Sequence, residues 1–467
     1  MRLACDHEAN VRSVRDILGI GRSFDCIERH LTVGGEDVTF FYIDGFVKDA
    51  ELQRVMQQVT SADKISSARE LLQKLAYVEV GTVSDTDAIV TAVLSGQTAV
   101  MAAAFSDLAI LIDARTYPAR QTAEPDSDRV MQGARDGFVE TLVMNTALIR
   151  RRIRDPRLTM EHFSVGSCSH TDVVLCYMQG EAEPELVEGL RERLRSIKTK
   201  SLTLGYQSLS ECLIRRGWFN PFPKIRSTER PDTAAAQIME GSVIILCDTS
   251  PQAMILPTSV FDYLQQTDDY YFPPLTGTYL RIVRTAILLL SLFVTPLWYV
   301  ALEYAAYLPP ALSFLIPNDP GALPIMLQLL LVEVAIDGLK IASMNTPDML
   351  SNSLSVIGAL ILGDFAVTVG WVCPDVILYM AFVALANFAQ QNAELGYAIK
   401  FVRVLTLVAV WLLGAWGLLV GALIFVILVA TNRTVTGRHH YLYPLIPFDH
   451  KAMRRLLFRM KKNDFEE

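Results

Sequence analysis

The chain changes character near residue 281. Before it, charged and apolar residues interleave at short periods, as in a soluble domain; from 282 to 431 charges are rare and apolar runs are long. In the first part the apolar period switches between two residues and about 3.6. Residues 38–43 and 77–82 read as strands, and 51–59 and 66–75 as helices. Residues 138–154 predict one long helix, ended by Asp155-Pro156 because the residue before a proline avoids the helical region. A strand follows at 173–177, then a helix at 184–197 with Pro184 in its first turn, where no N–H is needed. Strands alternating with helices predict α/β subdomains, with helices packed on mixed sheets.

Part of this pattern occurs twice. Residues 86–118 run helix (87–95), Gly96, strand (98–104), the polar turn Ser106-Asp107, strand (108–114). Residues 232–259 run helix (233–240), Gly241, strand (243–247), a polar turn (248–251), strand (253–256). Each Gly follows the last helical residue, where a left-handed cap is wanted. The repeat divides the soluble part into two related subdomains, residues 1–140 and 141–270.

The apolar part, residues 276–432, predicts an all-α multi-span transmembrane domain. Residues 285–302 are apolar throughout, long enough to span with slight flanking. Residues 324–342 form a second span interrupted by Glu333, Asp337 and Lys340, and 350–371 a third, rich in small residues. Residues 376–389 are too few to cross alone. Residues 398–431 are too many for one plain crossing and carry Gly414, Gly417 and Gly421.

Charge sets the orientation. Arg281 and Arg284 precede the first span, the stretch 303–322 has no Lys or Arg, and the tail 433–467 has eight basic residues against four acidic. Both ends therefore face the cytosol, which requires an even number of crossings. Four fits if 376–389 is re-entrant; six fits if 376–389 spans and 398–431 folds as a hairpin. No cleavable signal is expected, because residues 1–22 lack a continuous apolar core.

Overall the chain has 42 Lys and Arg against 50 Asp and Glu, a net charge of −8, which argues against a nucleic-acid partner. Seven scattered cysteines without a C-x-x-C pair indicate a reducing compartment. Cys168 with His170, and His439 with His440, lack the second half of a zinc site. Phosphate-binding, hydrolase, metalloprotease and dinucleotide-binding motifs are all missing from the sequence. The chain reads as a non-enzyme, without cofactor or metal.

The candidate chemistry lies in the spans. Glu333, Asp337 and Lys340 are spaced four and three apart and so share one helical face. Glu333 lies about 14 Å along the axis from Pro324, near mid-membrane. Ionisable groups there usually face a bundle interior or water. They can line a hydrated ion path. Alternatively Asp337 and Lys340 pair locally and Glu333 bonds to a neighbouring helix. In the third span Ser355, Ala359 and Gly363 repeat at four residues beside Asp364, and Ala366 and Gly370 keep that spacing. Such a stripe either permits close helix packing or lines a narrow pore. In the soluble part, Arg129, Arg135 and Arg150 to Arg154 mix with Glu124, Asp126, Asp128 and Asp136. That segment reads as a solvated salt-bridge network between subdomains, or as arginines facing a ligand.

Residues 121–158, QTAEPDSDRVMQGARDGFVETLVMNTALIRRRIRDPRL, resemble the signature of the GerA family of spore germination proteins. The matching residues are Glu124-Pro125, Gly133, Gly137-Phe138-Val139-Glu140, and the run from Asn145 through Arg150, Arg151 and Arg152 to Ile153. Gln132 and Ala134 replace the Arg and Pro of the family pattern. The motif TYLRIVR at 278–284, the run Glu394-Leu395-Gly396-Tyr397, and Arg403 match as well. Within the family, the compact N-terminus and residues 275–298 are more similar to a sporulation-protein branch than to the nutrient-receptor A subunits. The resemblance implies the spore inner membrane, ring-shaped homo-oligomers such as pentamers, and ion conduction during germination. For that branch it also implies a small membrane partner protein and amplification of the response in place of nutrient sensing. An ion-coupled transporter and a non-conducting membrane scaffold are the competing readings.

Overall fold

The computed structural model describes every residue except 1, 5, 48, 62–64, 78, 116–129, 131–132, 215–218, 346–357, 359–364, 391, 433–434, 436–440 and 460–467. The chain divides into two compact units: residues 1–216 with 225–258 and 434–438, and residues 217–224 with 259–433 and 439–467.

The first unit contains two five-stranded sheets with one topology. The strands are β1 (Cys26–Val33), β2 (Glu36–Ile43), β3 (Val80–Val83), β4 (Thr98–Ala102) and β5 (Ala109–Ile112), in the order β1-β2-β4-β5-β3. Then β6 (Leu158–Val165), β7 (Thr171–Met178), β8 (Arg226–Thr228), β9 (Val243–Cys247) and β10 (Ala253–Leu256) run β6-β7-β9-β10-β8. Replacing β1 to β5 by β6 to β10 turns one order into the other, so the duplication covers whole subdomains.

Each sheet is covered on both faces. In the first, α1 (His7–Leu18) and α4 (Thr86–Leu94) bury Val14, Leu18, Ile89 and Val93 on one side, and α2 (Asp49–Thr60) and α3 (Ala68–Lys74) bury Val55, Val59 and Leu71 on the other. In the second, α5 (Leu142–Arg152) and α8 (Pro231–Met239) cover one face, and α6 (Pro184–Ser196) and α7 (Tyr206–Leu213) the other. Local chemistry sets the ends. Asp6 accepts the N–H groups of Glu8 and Ala9 to start α1, and Asp85 accepts that of Ala88 to start α4. Gly96 and Gly241, after α4 and α8, both sit at φ +93°, the left-handed position expected of the repeated glycine.

Three expectations are corrected. All strand pairs are antiparallel, so the sheets are not mixed. The helix expected over 138–154 begins only at Leu142, because residues before it are held extended: the Phe138 N–H donates to the Glu229 carbonyl at 2.8 Å. Strands β1, β6 and β8 are added to those expected; one half-exposed face gives β1 and β6 a polar composition, CIERHLTV and LTMEHFSV, and β8 is only three residues long.

The second unit is helical. The single turn α9 (Asp268–Tyr271) precedes α10 (Pro274–Glu303); then come α11 (Ile325–Met344), α12 (Pro374–Phe388), α13 (Ala393–Leu413), α14 (Trp416–Thr431) and α15 (His450–Leu457). Among the described residues α10 and α13 are the helices long and apolar enough to cross a membrane; α12 and α14 are apolar but shorter. The run 398–431 is a helix hairpin broken at Gly414, which takes φ +59°. Gly417 faces Ala409 and Val410 while Gly421 faces Thr406, an antiparallel register in which the missing side chains let the backbones close up.

Candidate functional site

The charged face expected on α11 meets α13. Glu333, nearly buried, accepts two hydrogen bonds from Arg403 Nη2, at 2.7 and 2.8 Å. One turn along, Asp337 pairs with Lys400, whose Nζ also lies 3.4 Å from Glu333 Oε1. A further turn brings Lys340 Nζ over the Tyr397 ring, 4.7 Å from its centroid. The pairs 333–403, 337–400 and 340–397 form an antiparallel ladder. Positions four and three apart on α11 meet positions three apart on α13, as two facing helical stripes must.

The ladder carries two carboxylates and three cations. Arg403 is fully buried; its Nη1 donates to the Ser291 carbonyl on α10 at 3.4 Å. Glu333 is thus bonded to a neighbouring helix, and the partner of Asp337 is Lys400, not Lys340. Asp337 is the more open carboxylate, with 36% of its side chain exposed against 9% for Glu333. It borders a notch of about 30 Å³ lined also by Ile336, Lys340, Asn387 and Tyr397, roomy enough to admit water. Beside the ladder, Thr295 is fully buried and its hydroxyl, like Arg403 Nε, has no hydrogen-bond partner among the described residues. Breaking a buried pair by removing one partner costs about 3–5 kcal/mol, so Glu333 and Arg403 hold α11 to α13 whatever else they do.

Around the ladder the buried side chains are mostly apolar, among them Leu292, Met326, Leu329, Val376 and Val402, and the outer faces are apolar as well. Leu289, Leu297, Leu385, Trp411, Leu419 and Leu423 are exposed, and α10 carries an apolar groove of about 630 Å³ bordered by Leu289, Leu290, Phe293, Leu297 and Tyr379. Exposed apolar surface on this scale marks contact with lipid or protein. Ser355, Ala359, Gly363 and Asp364 lie outside the described residues.

In the first unit the signature residues are structural joints. Glu124 and Pro125 lie outside the described residues. Gly133, at φ +119°, is exposed, and Phe138 is buried in the core beneath α5. The Asn145 side chain accepts from the Val139 N–H (2.8 Å) and donates to its carbonyl (2.6 Å), while the Glu140 carbonyl takes the Thr249 N–H at 2.8 Å. Asn10 makes the same pair of bonds to Ala4, at 2.8 and 2.7 Å. Asn10 and Asn145 are the fourth residues of α1 and α5, and Arg15 and Arg150 the ninth.

The two arginines then diverge. Arg15 is half-exposed and grips Glu28 of its own subdomain, with both bonds at 2.7 Å. Arg150 is fully buried and crosses to the other subdomain. Its Nε donates to Asp25 Oδ2 at 2.7 Å, and its Nη2 to Asp25 Oδ1 at 3.1 Å and Ser23 Oγ at 3.2 Å. Burial, then the Asp25 charge, pushes the neighbouring Cys26 thiol up to about 12. The expectation of a solvated network is corrected here: Arg150 is a buried clamp. Of the other two, Arg152 is half-buried on Asp136 at 2.6 Å and Arg151 is exposed. Asp25 was not singled out in the sequence; it sits in a short loop with no motif around it.

Comparison with known proteins places these residues in context. The family model for the Bacillus/Clostridium GerA spore germination protein matches residues 13–467. The chain is 36% identical over 458 residues to stage V sporulation protein AF of Bacillus subtilis, covering 97% of this chain and 92% of that one. It is 28% identical over 454 residues to spore germination protein KA of the same species, covering 94% and 82%. Among solved structures, the N-terminal domain of the A subunit of the Bacillus megaterium spore germinant receptor GerK3 matches at 24% identity and a TM-score of 0.41, covering 55% of this chain and 96% of that one.

Proposed function

The chain belongs to the Bacillus/Clostridium GerA spore germination protein family, and from that premise we propose that it is a membrane-embedded subunit of a germination ion channel. The helical unit spans the spore inner membrane, with the α/β unit and the C-terminal tail on the cytosolic side. Copies of the chain assemble into a ring, such as a pentamer, together with a small membrane partner protein. Its likeness to stage V sporulation protein AF favours a role in amplifying the response over nutrient sensing.

The observation that carries the reading is the ladder between α11 and α13, where ionisable side chains lie inside helices whose outer faces are apolar. Charges at membrane depth are costly and mark ion paths more often than plain packing. In this reading Glu333 and Arg403 lock the helices together. Asp337, half-open and beside the notch, is the carboxylate that faces permeating cations. Lys340 and the stripe Ser355, Ala359 and Gly363 belong to the same path.

Cation flux through liposomes holding the purified chain and its partner tests this. Asp337→Asn is expected to lower cation flux and selectivity while the oligomer stays intact on native gels. Unchanged flux and selectivity in that variant would refute the assignment. A non-conducting scaffold is the second reading, favoured by the neutralisation of Glu333 by Arg403. It predicts no flux from the wild type under any lipid or partner condition.

A further inference from the structure

Arginines gather where α10 begins. Asp269 is fully buried and accepts from Arg281 Nε at 3.2 Å, from Arg284 Nη1 and Nη2 at 3.1 Å each, and from the Gln266 N–H at 3.1 Å. Arg281 Nη1 goes on to the carbonyls of Arg455 and Leu456 at the end of α15, at 2.9 and 3.2 Å. Its guanidinium carbon lies 4.9 Å from the centroid of the Tyr270 ring. Arg459 comes to the same place from the C-terminal side. Its Nη2 donates to the Tyr270 carbonyl at 2.8 Å, and its backbone N–H to Thr278 Oγ1 at 3.0 Å. Its stem lies against Gly277, where a β-carbon would also strike the Asp269 carbonyl.

Charge and hydrogen bonding both leave a surplus of donors. Arg281 and Arg284 share the one carboxylate of Asp269, and the Arg459 guanidinium reaches only the Tyr270 carbonyl, with the partly exposed Asp268 nearby in the chain. Arg281 is only 3% exposed, yet its Nη2 has no hydrogen-bond partner among the described residues, and neither has the buried Nε of Arg459. Buried donors are almost always paired, and guanidinium forks match the oxygens of a phosphate.

The neighbouring surface indicates which phosphate. From 443 to 458 the exposed side chains include Tyr443, Ile446, Phe448, Leu457 and Phe458, with Lys451 and Arg454 between them. Large apolar groups interleaved with basic ones suit the boundary between headgroups and acyl chains. This patch is packed against the start of α10, whose apolar run continues from Ile282.

We propose that Arg281, Arg284 and Arg459 form a binding site for the phosphate of an anionic phospholipid, with the apolar side chains of 443–458 seated among its acyl chains. The proposal rests on the membrane reading above. Its consequence is that the C-terminal segment is held to α10 partly through lipid.

The test uses the full chain reconstituted into vesicles of equal phosphatidylglycerol and phosphatidylcholine. Lipid retained after mild extraction is counted by mass spectrometry. Phosphatidylglycerol is expected to be enriched over phosphatidylcholine. Arg459→Gln should lower that enrichment about five-fold, the worth of one basic residue at a membrane surface, and Arg459→Lys should keep most of it. Insertion with both lipids retained in bulk proportion would overturn the site. Failure to insert in either lipid would overturn the membrane reading instead. Thermal stabilisation by millimolar inorganic phosphate without lipid enrichment would overturn the lipid and assign the arginines to a free anion.

Discussion

Arg150 shows how far one side chain can depart from its local pattern. It opens a run of three arginines, and such a run ordinarily lies in water. On α5, however, Asn145, Thr146 and Ile149 face inward, and Arg150 follows Thr146 by four positions on the same face. Its partner Asp25 is 125 residues earlier, so no window of sequence reveals the pair. The helix was legible; the burial of its charge was not. Arg150→Ala strands a buried carboxylate and should lower stability by about 3–5 kcal/mol. Arg150→Met combined with Asp25→Leu should recover most of that loss. Urea titration of the detergent-solubilised chain measures both, and equal losses in the single and double variants would show that the ion pair is not what matters.

Among the elements, the shared face of Glu333 and Asp337 was readable from their spacing, because that face is a property of one helix. Their partners were not, because Lys400 and Arg403 lie on a helix that the sequence leaves merged with the next in one apolar run, 398–431. Gly414 makes the break, and only with the hairpin in place does the basic stripe of α13 face the acidic stripe of α11. The ladder therefore makes a quantitative demand. Glu333→Gln should destabilise the helical unit by about 3–5 kcal/mol by leaving Arg403 poorly paired. Exchanging the charges, Glu333→Arg with Arg403→Glu, should restore a substantial part. Thermal unfolding in detergent, run as a double-mutant cycle, measures the coupling. A coupling near zero would mean that the helices are held by their apolar contacts alone.

At the scale of the whole molecule, the main stretch of the helical unit begins at Ser259, well before charge thins out near residue 281; that an α/β part gives way to a helical part was nevertheless plain from the distribution of charge. So was the repeat, though only its second half. The helix–Gly–strand–strand copies at 86–118 and 232–259 stand out because their strands are buried and apolar. In the first half of the repeat, α1-β1-β2 against α5-β6-β7, the strands β2 and β7 were readable but the polar β1 and β6 hide the correspondence, which shows in Asn10 with Asn145 and Arg15 with Arg150. Those two pairs record a division of labour between the copies. Arg15 is satisfied by Glu28 within its own subdomain, whereas Arg150 needs Asp25. Translation runs in one direction, and domains tend to fold as they emerge. The nascent chain thus presents Asp25 first, and its carboxylate has to stay in water until Arg150 leaves the ribosome and pairs with it. Made separately, each half lacks one member of the pair, so Asp25→Leu in residues 1–140 and Arg150→Met in residues 141–270 should each raise the stability of its own half. Thermal melts of the two halves that neither substitution shifts would show that the pair joins the copies without burdening either alone.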